Sequence, residues 1–111
     1  PGSTATLPLM RGSCATHLIL CHRADLTNLR PPVEHIKIPH LNKVIELNES
    51  LSRACGVFSE TKVVGISLNT NKLNLESAKE AIDYWESETN LPVTDVVRFG
   101  PEKLAIAIKN N

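Results

Sequence analysis

Lys62-Val63-Val64-Gly65-Ile66-Ser67-Leu68-Asn69-Thr70 is the stretch that decides the fold. Its apolar residues run almost without a break. A strand with one wet face alternates apolar and polar residues, whereas a parallel strand covered by helices on both faces reads as a near-continuous run. Thr16-His17-Leu18-Ile19-Leu20-Cys21-His22-Arg23 has the same character. Each run closes on polar residues, His22 and Arg23 in one and Asn69 and Thr70 in the other. In open parallel sheets the ligand crevice lies outside the carboxyl ends of the strands. These four residues are therefore the first candidates for a site.

Outward from the two strands, the sequence supplies the crossovers that parallel pairing requires. Asn74 reads as the N-cap of a helix over 75–89, with Leu75, Ala78, Ile82 and Trp85 at helical spacing and Asn90 as a left-handed stop. A second amphipathic helix opens at Leu41, carries Val44, Ile45, Leu51 and Cys55 on neighbouring faces, and stops near Gly56. Asn48 is the polar exception in that stripe. Leu91 to Val97 reads as a third, shorter strand with Pro92 at its start. Gly100-Pro101 opens a last helix with proline in its first turn. A short first helix over 3–11 is expected to be capped by Ser3 or Thr4 and ended by Gly12. The order predicts right-handed βαβ crossovers and an α/β fold, a three-layer parallel sheet with flanking helices.

Totals narrow the function. The chain has 111 residues, 41% hydrophobic and 22% charged, with Lys+Arg and Asp+Glu both 12. Non-specific nucleic-acid binding needs a basic field that a net charge of zero does not supply. No apolar run approaches the ~20 residues that span a bilayer. Neither a nucleic acid nor a membrane is expected as a partner. The cysteine count is odd, three, which suits reduced thiols and a cytoplasmic location. The start Pro1-Gly2-Ser3 lacks an initiator Met, and three strands are few for a parallel sheet. The expectation is a fragment whose sheet is completed by further chain or by another copy, with a homo-oligomer expected.

Cys14, His17, Cys21 and His22 fall within one short stretch and invite a zinc reading. Strand parity argues against it, because His17 and Cys21 share a face while His22 points to the other, and structural zinc takes two separated ligand pairs. The same parity separates Cys21 from a base at His22, which weakens Cys21 as a nucleophile. The connection 24–40 holds Pro31, Pro32 and Pro39, is long for a structureless loop, and adds Arg30, His35, Lys37 and His40 to the His22-Arg23 pair. This cationic cluster could receive a carboxylate or a phosphate. Asn69 offers both donor and acceptor to a ligand edge, although Asn-Thr-Asn is also good turn chemistry. Arg98 ends the third strand and could reach the same crevice. Asp95 alone is a weak general-base candidate, and Tyr84 and Trp85 read as core and rim. The sequence contains neither G-x-x-x-x-G-K-[ST] nor G-x-G-x-x-G.

Several segments together carry a family resemblance. They are Leu20-Cys21-His22-Arg23-Ala24, Val44-Ile45-Glu46-Leu47-Asn48, Val64-Gly65-Ile66-Ser67-Leu68-Asn69-Thr70, Leu91-Pro92-Val93-Thr94-Asp95 and Val97-Arg98-Phe99-Gly100. Over nearly the whole chain they resemble the C-terminal part of a two-domain prokaryotic family long described as of unknown function. Its members pair a Rossmann-like N-terminal domain with a P-loop-NTPase-like C-terminal domain, and some are D-glutamate N-acetyltransferases. The resemblance implies that residues 1–111 are the distal half of the P-loop-like domain, with the phosphate-binding loop and the Rossmann-like domain upstream. It also implies a fold similar to that of dethiobiotin-synthetase-like proteins. Arg30 matches an Arg-rich stretch of the family's long loop, whose glycine has no counterpart in Asp25-Leu26-Thr27-Asn28-Leu29-Arg30-Pro31.

What the resemblance implies for chemistry is acetyl transfer from acetyl-CoA to a small acidic amino acid. His22 would be the catalytic base or oxyanion donor. Arg23, Arg30 and Arg98 would bind substrate carboxylates or CoA phosphates, and Asn69 and Thr70 would contact the adenine. The alternatives are an ATP- and Mg-dependent synthetase-like enzyme and a non-catalytic nucleotide-binding domain. With half of the crevice upstream, the isolated chain is expected to be inactive.

Overall fold

The computed structural model describes residues 6–53 and 60–111. In chain order the elements are α1 (Thr6–Ser13), β1 (His17–Arg23), α2 (Leu41–Arg53), β2 (Lys62–Asn69), α3 (Leu75–Thr89), β3 (Val93–Thr94), α4 (Val96–Phe99) and α5 (Glu102–Lys109). The strands form one sheet in the order β1-β2-β3, parallel throughout. The parallel α/β fold expected from the two apolar runs is the fold observed.

β2 lies in the middle and explains its own sequence. Ile66 and Leu68 are buried with Leu41 of α2, Ile82 of α3 and Val93 of β3, and Val64 is buried as well. Each such side chain contributes about 1.5–3 kcal/mol relative to exposure. On the other face α5 lies against β2 with Leu104 and Ala107 buried. Gly65 permits that approach: a Cβ there would stand 2.7 Å from Leu104 Cδ2 and 3.2 Å from the Pro92 carbonyl oxygen.

β1 differs from the expectation of a doubly covered strand. It pairs only with β2, its residues are half-buried, and Cys21 is exposed. The reason is position: it is the edge of the described sheet. Its register with β2 slips between Leu18 and Ile19, which pair with Val63 and Gly65.

Helix ends follow local chemistry. Asn74 caps α3, its Oδ1 accepting from Ser77 N–H at 2.8 Å, and Asn90 closes that helix at φ 55°. In α2 the exceptional Asn48 donates to the Val44 carbonyl at 2.7 Å, so the helix satisfies its own polar group. The expected stop at Gly56, like Cys55, lies outside the described residues, as do the Ser3 and Thr4 caps. Gly12 does not end α1; Cys14 takes the left-handed position, at φ 51°. Pro101 precedes α5 as its N-cap residue.

The third strand is shorter than expected. Only Val93 and Thr94 are extended, because Asp95 turns the chain into α4 by accepting from Val97 N–H at 3.0 Å and Arg98 N–H at 3.2 Å. Arg98 therefore stands on a helix and not at a strand end.

Candidate functional site: the carboxyl edge of the sheet

The ends of β1 and β2 are tied together, Ala24 N–H donating to the Asn69 carbonyl at 3.0 Å. Beyond them the edge divides into two regions.

At the end of β2 the polar groups are largely used internally. Asn69 Oδ1 accepts from Asn71 N–H at 3.0 Å, closing an Asx turn, while Asn69 itself stays exposed. Thr70 is 1% exposed, and its N–H and hydroxyl both donate to Asp95 Oδ2. The carboxylate of Asp95 thus receives four donors, two from Thr70 and two from the start of α4. Burial pushes its pKa up, yet the hydrogen bonds from Thr70, Arg98 and Val97 outweigh burial and hold it below the usual carboxylate range. Asp95 is an ionised clamp, not a base. Thr70 faces that clamp, which removes its hydroxyl from ligand reach. Arg98 donates to the Leu73 carbonyl. Asn69, Asn71, Asp95, Val97 and Arg98 line an open cavity of about 340 Å³.

At the end of β1 the groups are freer. His22 is half-buried edge-on to the Trp85 indole, ring centroids 6.0 Å apart and planes at 84°. His40 meets the same indole at 5.2 Å and 62°, and Tyr84 stands 5.0 Å from it. Burial lowers the pKa of His22 below 6.5, against the opposing charge of Asp25. The imidazole is therefore neutral at pH 7 and able to accept a proton. His40 Nε2 lies 3.6 Å from Glu88.

The connection 24–40 is ordered by its own hydrogen bonds. Asn28 and Lys37 form an antiparallel bridge, Leu29 N–H donates to Ile36, and Ile38 N–H donates to Thr27, each at 2.9 Å. Asn28 Nδ2 adds a bond to the Glu34 carbonyl at 3.0 Å. This hairpin brings Lys37 to the cavity that His22 lines and leaves Arg30 exposed at its far end. The expected cationic cluster is therefore divided. Arg23 is held by Asp25 through two bonds, Nε to Oδ1 at 3.1 Å and Nη2 to Oδ2 at 2.6 Å. That bond from Arg23 is the main reason the pKa of Asp25 is lowered.

Of the residues selected from sequence, His22 and Asn69 open onto cavities of this edge, as does Arg98 through α4. Arg23 and Arg30 line neither of the two cavities beside His22. Sequence reading placed Trp85 in the core and missed its contact with His22. The signal was present, since Trp85 shares the apolar stripe of α3 that packs toward the sheet. Among the described residues no three His, Cys, Asp or Glu side chains are grouped to hold a metal ion.

A parallel sheet with helices on its faces and open chemistry at its carboxyl edge places the chain in the α/β class that contains P-loop domains. Residues 1–105 match the model of the C-terminal P-loop domain of DUF1611, a domain of unknown function, and the chain belongs to that family. A DUF1611 family protein from Anabaena variabilis, known from a crystal structure, is similar over all of this chain at 50% identity and a TM-score of 0.94, with 32% of its own length covered. Two curated relatives are named D-glutamate N-acetyltransferase. The one from Pseudoalteromonas is 28% identical over 89% of this chain, and the one from Tritonibacter scottomollicae is 30% identical over 96%. The chain spans 29% and 31% of their lengths.

Proposed function

We propose that this domain forms part of the active site of an N-acetyltransferase that moves an acetyl group from acetyl-CoA to the amine of a small acidic amino acid. The observation that carries the reading is the neutral, half-buried imidazole of His22 at the carboxyl end of β1, on a cavity it shares with Lys37, whose side chain has no partner among the described residues. The names of the two curated relatives supply the reaction class.

Acyl transfer to nitrogen needs a deprotonated amine, a held thioester and a stabilised oxyanion. The amine nitrogen attacks the thioester carbonyl carbon, a C–N bond forms, and the C–S bond breaks. His22 accepts the proton that nitrogen loses and returns it to the departing sulfur. A neutral imidazole can do this at pH 7; an imidazolium cannot. Asn69, with no partner for its Nδ2 among the described residues, would contact the adenine of CoA. Arg30 and Arg98 are the guanidinium candidates for phosphates or carboxylates.

The test uses the full-length protein with acetyl-CoA and D-glutamate, without ATP, following free thiol. Thiol release that depends on D-glutamate and is lost in His22→Asn supports the reading. The P-loop description of the family favours a second one, an ATP- and Mg-dependent synthetase-like enzyme. ATP hydrolysis that requires magnesium, with no thiol release, would replace the first by the second.

A further inference from the structure

Two cavities open beside His22, and they share a wall. The first, about 290 Å³, lies between β1, the hairpin and α2, and Leu20, Leu29, Ile36, Val44 and Leu47 make its lining aliphatic. The second, about 360 Å³, is bounded by Leu26, Thr27, His40, Tyr84 and Trp85. His22, Lys37, Ile38, Pro39 and Leu41 belong to both. An aliphatic slot and a notch that carries more aromatic and polar side chains thus meet at one imidazole and one ammonium.

We propose that these cavities are the two subsites of a single transfer centre, the aliphatic slot taking the acyl-pantetheine arm of an acyl-CoA and the aromatic notch taking a dicarboxylic amino acid, with His22 between them. The proposal rests on the acetyltransferase reading and assigns its substrates to places. The slot suits a slender uncharged chain, because its walls offer little but aliphatic carbon and the exposed Leu29, Ile36 and Leu47 gain by being covered. The cation of the slot alone, the exposed Lys43, 3.4 Å from Glu46, matches the phosphates that trail such a chain. In the notch, Lys37, the half-exposed His40, Thr27 and Tyr84 supply polar groups that can meet carboxylates, among walls that also include Leu26 and Ile38.

Such a shared wall has a kinetic consequence. Both substrates are held at once, and the amine reaches the thioester directly. The proton passes to His22 and then to sulfur, so no acyl-enzyme forms and no co-reactant is needed. Initial rates of the full-length protein with both substrates varied should give intersecting double-reciprocal lines. Leu47→Arg, at an exposed position of α2 where folding is little disturbed, should raise KM for acetyl-CoA roughly tenfold or more and leave that for D-glutamate within about twofold. Lys37→Ala should do the reverse. Parallel lines, or a Leu47→Arg protein that transfers acetyl with unchanged KM for acetyl-CoA, overturn the subsites while acetyl transfer stands. A Leu47→Arg protein that loses thermal stability without moving either KM shows the slot filled by another part of the longer protein, which also overturns them. A wild-type protein with no acetyl transfer removes the reading and the subsites together.

Discussion

The ends of β1 and β2 lie side by side on one sheet and treat their polar residues in opposite ways. At β2, Thr70 and Asp95 consume each other's hydrogen-bonding capacity, and Asp95 caps α4 as well. At β1, His22 packs edge-on to Trp85 and has no hydrogen-bond partner among the described residues, and the side chain of Lys37, which lines the same cavity, has none there either. A side chain whose bonds are complete stabilises the fold; one held by packing alone keeps its lone pair for a ligand. The β1 end is therefore the side of the edge suited to chemistry, and the β2 end is the side suited to holding it in place.

The largest effect should come from the free side. His22→Asn keeps a polar, near-isosteric group but removes the base, and turnover of the full-length protein should fall by about 10²–10⁴. Thermal unfolding should scarcely change, because no hydrogen bond is lost. The wild-type profile of kcat/KM should decline on the acid side with a midpoint below 6.5, as burial lowers the pKa of His22. The linkage has the same sign. A histidine with a lowered folded pKa favours folding above its unfolded pKa, and that contribution is lost as pH falls toward the folded value. A midpoint at or above 6.5 would mean that His22 is not shielded as its contact with Trp85 implies.

The opposite outcome is expected of Asp95→Ala. It removes the cap of α4 and strands the buried donors of Thr70, which together should cost about 2–4 kcal/mol of stability. Chemical denaturation measures it. The wild-type contribution should be present above pH 4 and fade as pH falls through the lowered folded pKa of Asp95, since a carboxylate held ionised in the fold loses its partners on protonation. A change below about 0.5 kcal/mol would show that the four bonds to this carboxylate are replaced by water at no cost.

What the sequence disclosed follows the same division. α3 was legible from end to end, since Asn74 and Asn90 act on backbone within their own turns. The strands were legible because burial on both faces leaves an apolar run, and β1 departed from it only as an edge. The short β3 was not legible: Asp95 is a cap because α4 follows it and because Thr70, 25 residues earlier, completes its coordination. Nor was the pairing of Arg23, since adding up cations along the loop left out Asp25. Trp85 belongs to an apolar stripe, but a stripe does not tell which ring ends up against which imidazole.

Gly65→Ala should be the next largest effect, and it belongs to neither end. The added methyl meets Leu104 Cδ2 and the Pro92 carbonyl oxygen, so the Leu104 side chain must turn aside or α5 must move away from β2. Overpacking of this kind costs about 1–3 kcal/mol. Both ends of the sheet would be affected alike, and KM for the two substrates should change together. A variant that altered only the β2 side would show that the ends are less firmly joined than the bond from Ala24 to Asn69 implies.

The smallest effect is expected of Arg23→Ala, and it sharpens the comparison most. Arg23 neighbours His22 in sequence, and the family resemblance raises the expectation that it binds substrate carboxylates or CoA phosphates. In the structure its guanidinium is engaged twice by Asp25, at the exposed rim of the loop. An anion would have to displace a carboxylate already in place, whereas Lys37 has no such competitor among the described residues. Exposed ion pairs contribute little to stability and weaken with salt. Arg23→Ala should therefore lower thermal stability slightly and leave both KM values within about twofold. A roughly tenfold rise in KM for either substrate would show that Asp25 yields Arg23 to the ligand, and the boundary of the reactive region would then run through the Arg23–Asp25 pair instead of stopping at His22.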